Sequence, residues 1–429
     1  MRIGIYYFHR DLRLADNALL HSAANECHQL AFIYVKPEPN VFARHFSPHV
    51  TQGKAQANFE QQCLSDLKHR LAEYGHVLLT FCGQPSQVLT QLLGQNPHIS
   101  DLYHDCGADY QQHALVRYLN STMGQITTHT ANQGGLFDFE QLPFALSELP
   151  VSFTPFRKKV DNITPRYPSH TSPDNLPSPA LINDEGMRWL TLEPINDQSQ
   201  FVGGETSGKA WLGRYFDSQR PSHYKQTRNH LDDWTKSTGF SPWLAWGCIS
   251  PKQIVQCLEA YQQSHGYNES TYWIWFELLW REYFRWYAEK HGKRLFAFAG
   301  VKGIKPLTTY YPQQYREWTE GCTGFAIVDA CMRQLKHTGT MSNRGRQLVA
   351  SCFVHELGLD WRFGAAYFEA MLIDYDVTSN WGNWQYLAGV GADPRGHRRF
   401  DLQKQTEIYD PDEAFIQRWL SDDTKINQG

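Results

Sequence analysis

The feature that most constrains this chain is the steady alternation of short apolar runs and amphipathic stretches over its first 131 residues. "RIGIYYF", "CHQLAFIYV", "HVLLTFCG", "HISDLYHD" and "QITTHTAN" read as strands. Between them, "LADNALLHSAA", "GKAQANFEQQCLSDLKHRLAEYG", "PSQVLTQLLGQN" and "DYQQHALVRYLNSTMG" read as helices. The second of these ends at Gly75 and the third opens on Pro85, the residue types that stop and start helices. Strand and helix alternating at this pitch require parallel pairing with right-handed crossovers. Residues 1–131 are therefore expected to form a doubly wound, Rossmann-like α/β domain. No G-x-G-x-x-G follows the first strand, so this domain need not hold the main cofactor.

Residues 132–202 break the pattern. Nine prolines between Pro143 and Pro194 interrupt any regular element, and the stretch reads as a connector wrapped over the surface. From Gly203 to Gly429 the signal is helical, and an all-α domain is expected. "YWIWFELLWREYFRWYAEKHG" is apolar nearly all round, as in a buried helix. "GFAIVDACMRQLKHTG" and "GRQLVASCFVHELG" are helices ended by glycine, and "WRFGAAYFEAMLIDYD" is another.

Composition narrows the function. The net charge is only −4, so a polyanion has to bind a local patch and not a global field. Nine cysteines show no paired spacing, which suggests reduced thiols in a cytoplasmic protein. "MRIGIYYFHRDLR" becomes charged too soon for a signal peptide, and no apolar run approaches membrane-spanning length. The 14 tryptophans lie after Asp184, all but Trp189 in the helical half.

Several familiar chemistries are disfavoured. "GGETSGKA" (Gly203–Ala210) nearly matches the phosphate loop G-x-x-x-x-G-K-[ST]. However, Ala210 stands where a Mg²⁺-binding hydroxyl is needed, no buried strand precedes it, and Glu205 would sit inside a phosphate cradle. A Gly-rich turn opening a helix is the better reading. The 19 histidines form no H-E-x-x-H, no Cys/His cluster has ligand spacing, and there is no G-x-S-x-G elbow.

What remains is an aromatic and acidic set, concentrated in "DYDVTSNWGNWQY" (Asp374–Tyr386). Here the chain resembles the photolyase/cryptochrome family, and most closely its cryptochrome-DASH branch. "FHRDLRLADNALL", "GGETSGKAWLGRYF", "YKQTRNHL", "FSPWLAWGCISP", "FELLWREYFRW", "TGFAIVDACMRQLKHTGTMSNRGRQLVAS", "LGLDWRFGAAYFEAMLIDYD" and "SNWGNWQYLAGVGADPR" follow in family order over nearly the whole chain. The resemblance implies an α/β domain followed by a helical domain that holds a bent, non-covalent FAD.

The same resemblance implies the site. Tyr224 and Arg228 fall in the segment that closes over the cofactor, and Ser237, Thr238, Gly239, Phe240 and Ser241 match the turn that meets the pyrophosphate. A helix N-terminus there would offer free N–H groups to an anion. The family commonly has a basic residue where this chain has Gly239. Arg281, Asn343, Arg346, Asp374, Asp376 and Asn380 match residues around the flavin, with an Arg346–Asp374 ion pair beside it and Asn380 facing its N5 as donor or acceptor.

Trp384 and Trp361 match the inner members of an electron relay. At the outer position this chain has Thr308, with Tyr310 or Tyr311 as substitutes. Glu277, Trp280, Asn343 and Tyr386 match the pocket for a cyclobutane pyrimidine dimer. Glu277 would bind a base edge and Trp280 would stack on the lesion. Tyr386 replaces a second tryptophan and points to single-stranded DNA, where a base has less stacking to lose. Arg344, Arg395, Arg398, Arg399 and Lys404 are the candidate DNA contacts.

Methenyltetrahydrofolate is the antenna the DASH branch admits. The family's pterin-binding acid would lie near Cys106, with Asp105 or Asp109 in its place. The expectation is a monomeric, membrane-free repair enzyme. A blue-light receptor and a regulatory DNA-binding flavoprotein are the alternatives. The chain runs about nine residues past "FIQRWL", which tilts against a tail-driven receptor.

Overall fold

The computed structural model describes residues 1–38, 45–46, 51–167, 172–193, 199–393 and 398–421. Strands β1 (Ile3–Phe8), β2 (Gln29–Pro37), β3 (Leu78–Gly83), β4 (Asp101–Asp105) and β5 (Thr127–Ala131) form a parallel sheet in the order β3-β2-β1-β4-β5. Helices α1 (Ala18–Glu26), α2 (Lys54–Glu73), α3 (Pro85–Gln95) and α4 (Tyr110–Thr122) alternate with these strands along the chain. Every residue of β1 is buried, because a central parallel strand is covered on both faces.

The Pro-rich stretch carries, besides two short 3-10 turns, a helix and a strand among its described residues. Helix α5 (Phe153–Val160) buries Phe153, Phe156 and Val160. The two-residue strand β6 (Ser178–Pro179) pairs with Gln29 and Leu30 of β2, below the point where β3 joins that strand at Phe32.

The remainder is mostly helical. It comprises α6 (Glu205–Phe216), α7 (Tyr224–Thr227), α8 (Ser241–Ala245), α9 (Pro251–His265), α10 (Glu269–His291) and α11 (Pro312–Glu320). Then follow α12 (Ala326–Thr338), α13 (Asn343–Ser351), α14 (Trp361–Met371), α15 (Val377–Leu387), α16 (Leu402–Tyr409) and α17 (Ala414–Leu420). Among the described residues no helix is long and apolar enough to cross a membrane.

The near-phosphate loop joins the two halves. Gly204 has φ 109°, and a Cβ there would come within 2.5 Å of Asp66 on α2. A side-chain-bearing residue would be both strained and in collision. Glu205 is buried and accepts the backbone N–H groups of Leu14 (2.7 Å) and Ala15 (3.2 Å). It also pairs with Arg70 and with Lys209, the latter at 2.7 Å. The lysine that a phosphate loop would aim at a nucleotide is thus engaged by the loop's own acid.

Candidate functional site

Helical spacing builds most of the site. On α10, Trp273, Glu277, Trp280 and Arg281 recur at intervals of four, three and one, so they share one face. Asn343 and Arg346 do the same on the first turn of α13, and Asn380 and Trp384 on α15. These faces, with the segment from Tyr224 to Ala245, enclose a cavity of about 480 Å³. That size falls within the range of small-molecule sites.

Of the residues expected from the sequence, Tyr224, Arg228, Ser237, Thr238, Phe240, Ser241, Glu277, Trp280 and Arg281 stand in its wall. So do Asn343, Arg346, Asp374, Asp376, Asn380, Trp384, Tyr386 and Arg398.

The charges are paired around the opening. Arg346 Nη2 donates to both oxygens of Asp374 (2.9 and 2.8 Å), and its Nε donates to the Met341 carbonyl (2.9 Å). Arg281 lies 3.9 Å from Asp376 and donates to the Gly134 carbonyl at 2.6 Å. Burial would raise the Asp376 carboxyl, but Arg281 and the hydrogen bonds from Ser379 and Thr378 hold it below its ordinary value. Burial lowers the Arg281 guanidinium.

Glu277 accepts from Arg228 and, at 3.1 Å, from the Trp273 indole. Burial raises its carboxyl, and these two neighbours oppose the rise. Asn380 donates its amide nitrogen to the Ala365 carbonyl at 3.0 Å. Only a donor can face a carbonyl, so the amide orientation is fixed; its second N–H and its oxygen both stay available.

Some expectations are corrected. Gly239 is not in the cavity wall. Its φ of 63° and the Trp211 ring, 2.8 Å from an added Cβ, leave no room for a side chain there. Helix α8 has only five residues, so its dipole is a weak anion attractor, and Arg228, Arg281, Arg346 and Arg398 bring cationic charge to the cavity wall.

Trp280 lies flat against Phe153, with centroids 3.8 Å apart, so α5 covers one face of that ring. Tyr310 stacks on Phe363 at 4.2 Å, and no ring contact joins it or Tyr311 to Trp361 among the described residues. Thr308 is half-buried with an unpartnered hydroxyl.

The basic set is scattered. Arg398 pairs with buried Asp393 at 2.7 Å, donates to the Tyr386 hydroxyl and lies 4.5 Å over that ring. Arg399 pairs with Glu356, and Arg344 lies 4.6 Å over Tyr409. Lys404 is exposed near the start of α16, and Arg395 lies outside the described residues.

Near the expected folate site, Cys106 Sγ bonds to the Ala131 carbonyl. Asp105 accepts from the Gln133 N–H, and Asp109 caps α4. These contacts tie the three residues to the fold.

Sequence reasoning missed Trp273, Phe153 and Asp232. Trp273 was legible as an i, i+4 partner of Glu277. Phe153 and Asp232 arrive from distant segments and gave no local signal.

The donor set fits an FAD. It offers apolar walls at Leu244, Ala245, Phe368 and Leu372, the hydroxyls of Ser237, Thr238, Ser241 and Ser379, four arginines, and acceptors at Asp376 and Asn380. Comparison with known proteins agrees. The DNA photolyase family profile matches residues 4–179, and that of the FAD binding domain of DNA photolyase matches residues 273–428. A protein named cryptochrome DASH from Vibrio parahaemolyticus is 48% identical over 429 residues, covering 100% of this chain and 95% of its own. The crystal structure of the Synechocystis cryptochrome superposes with a TM-score of 0.89 at 37% identity, covering 98% of this chain and 89% of its own. An archaeal photolyase from Sulfolobus tokodaii, solved with two FAD molecules, gives 0.74 at 25% identity over 99% of this chain and 91% of its own.

Proposed function

This chain belongs to the photolyase/cryptochrome family, in its cryptochrome-DASH branch, with FAD as its cofactor; from that premise we propose that it repairs cyclobutane pyrimidine dimers in single-stranded DNA under blue light. When bound, reduced and excited, FAD supplies one electron to the dimer and recovers it after the ring has split. The observation that supports this reading most is that Glu277 faces the same cavity as the Arg346–Asp374 pair and Trp384.

The residues then divide the work. Arg346 and Asp374 hold the charged edge of the site, while Asp376 and Asn380 offer acceptors to ligand N–H or O–H groups. Glu277, raised by burial, is closer to protonation than a free glutamate. Such a carboxyl accepts from a base N–H and can deliver a proton or hydrogen bond to a carbonyl oxygen as charge develops on it. Asn343, in the wall beside these groups, adds an amide that meets either cofactor or base.

Substrate form follows from ring availability. Phe153 occupies one side of Trp280, and Tyr386 is held by Arg398. Fewer open faces remain to offset the few kcal/mol needed to unstack and unpair a base from a duplex. A single strand avoids most of that cost.

The test mixes photoreduced protein with a dimer-bearing oligonucleotide, first single-stranded and then as duplex. Blue light should restore pyrimidine absorbance faster with the single strand. No recovery with either would sink the repair reading. A receptor role is the second reading, supported by one contact: Asp232 in the cavity wall accepts from Arg418 (2.8 Å) and Trp419 (3.3 Å) of α17, linking the cavity to the C-terminal helix.

A further inference from the structure

The rings beside the cavity continue in a direction the sequence spacing did not indicate. Trp384 lies over Gly364 on α14, where an added Cβ would stand 2.2 Å from its Cη2. Trp361 opens the same helix three residues earlier, on the same face. Trp361 is wholly buried, and its indole N–H donates to the Phe298 carbonyl at 3.1 Å. The ring next to it is Trp381, with centroids 5.7 Å apart at 77°.

Trp381 differs from its neighbours at the nitrogen. Its N–H lies 3.3 Å from Glu369 Oε2 and 3.3 Å from the Tyr375 hydroxyl. Trp318, whose ring centroid lies 6.2 Å from that of Trp384, gives its N–H to the Val349 carbonyl at 3.1 Å. A backbone carbonyl cannot take a proton at neutral pH, whereas a carboxylate can. An oxidised indole is a strong acid at nitrogen. A base in contact turns it into a neutral radical, which must regain a proton before it can take its electron back.

We propose that Trp381 ends an electron relay running Trp384–Trp361–Trp381, and that Glu369 is the proton acceptor that holds the charge apart. This rests on the reading of Trp384 as the donor to light-excited FAD. Trp384 gives one electron to the excited oxidised cofactor, Trp361 refills Trp384, and Trp381 refills Trp361. Trp381 then transfers one proton from Nε1 to Oε2 of Glu369. The net change is one electron moved into the cavity and one proton moved to Glu369. Burial raises the Glu369 carboxyl, opposed by hydrogen bonds from Tyr375 and Trp381; Asp109 and Arg10 act on it from the α/β half with opposite signs.

The test is flash absorption on the FAD-loaded protein. The wild type should show a neutral tryptophan radical whose formation slows in D₂O. Trp381→Phe should shorten the life of the separated charge by about tenfold or more, the factor that one proton-transfer barrier of modest size confers. Glu369→Gln, which keeps an acceptor for the indole, should show the protonated cation radical in place of the neutral one, without the isotope effect. FAD-to-protein absorbance ratio and Tm report whether either variant is misfolded. If Trp384→Phe abolishes the radical while Trp381→Phe and Glu369→Gln match wild type, this terminus is wrong and the relay stands. If Trp384→Phe changes nothing, the relay reading falls and takes the terminus with it.

Discussion

The two halves of the molecule treat buried charge in opposite ways. In the α/β half, Tyr6 donates to Asp11 at 2.6 Å, Gln133 donates to Asn17 at 2.7 Å, and Arg13 reaches the Gly247 carbonyl at 3.0 Å. That network closes on itself and on the neighbouring backbone. In the helical half, Arg228–Glu277, Arg281–Asp376 and Arg346–Asp374 all line one cavity. A closed network fixes a fold, because each buried polar group already has its partner. Charge pairs set around an open space are arranged for a guest.

The largest test of that contrast is Arg346→Ala. It strands Asp374, whose side chain is 5% exposed. Breaking such a pair costs about 3 kcal/mol, and FAD affinity should fall by roughly 100-fold, read by the flavin absorbance that survives gel filtration. Retention of full flavin content would mean that this pair is structural like those around Asp11.

Glu277→Gln should keep flavin but slow dimer splitting by about 100-fold, within the span of a lost general acid. Single-turnover repair after a flash measures it, and an unchanged rate would remove Glu277 from the chemistry.

Asp105→Asn probes the other half. Burial first, and then the charge of Asp11, push the Asp105 carboxyl up from 3.8 to about 7. In the unfolded chain it ionises as pH rises past 3.8, while in the folded chain it keeps its proton to about 7. Its contribution to stability is therefore full below that window and lost as pH rises through it. The wild type should lose on the order of a few degrees of Tm across the window, and the variant should lose less. Flavin content should not change. A fall in flavin content would join the two halves that the contrast separates.

The smallest effect is expected from Lys404→Ala on the exposed start of α16. Binding to single-stranded DNA should weaken uniformly across sequences, and the salt slope should drop by about 0.7. An unchanged slope would place the DNA path elsewhere.

Much of this was legible along the chain, and particular residues show why the rest was not. Strand–helix alternation specified a parallel sheet, since right-handed crossovers admit few other arrangements. The i, i+4 spacing of Glu277 and Arg281 and the i, i+3 spacing of Asn343 and Arg346 are properties of the chain that put each pair on one helix face. Trp280 and Tyr310 behaved differently. Phe153 reaches Trp280 from a helix in the Pro-rich stretch, and Phe363 takes the ring contact of Tyr310. Helical period is a property of neighbours in the chain, so the sequence by itself determined which elements form and which side chains share a face. Which ring lies against which, which carboxylate lies against the Trp381 indole and which carbonyl takes the Asn380 amide are contacts between distant segments, and only their packing decided them.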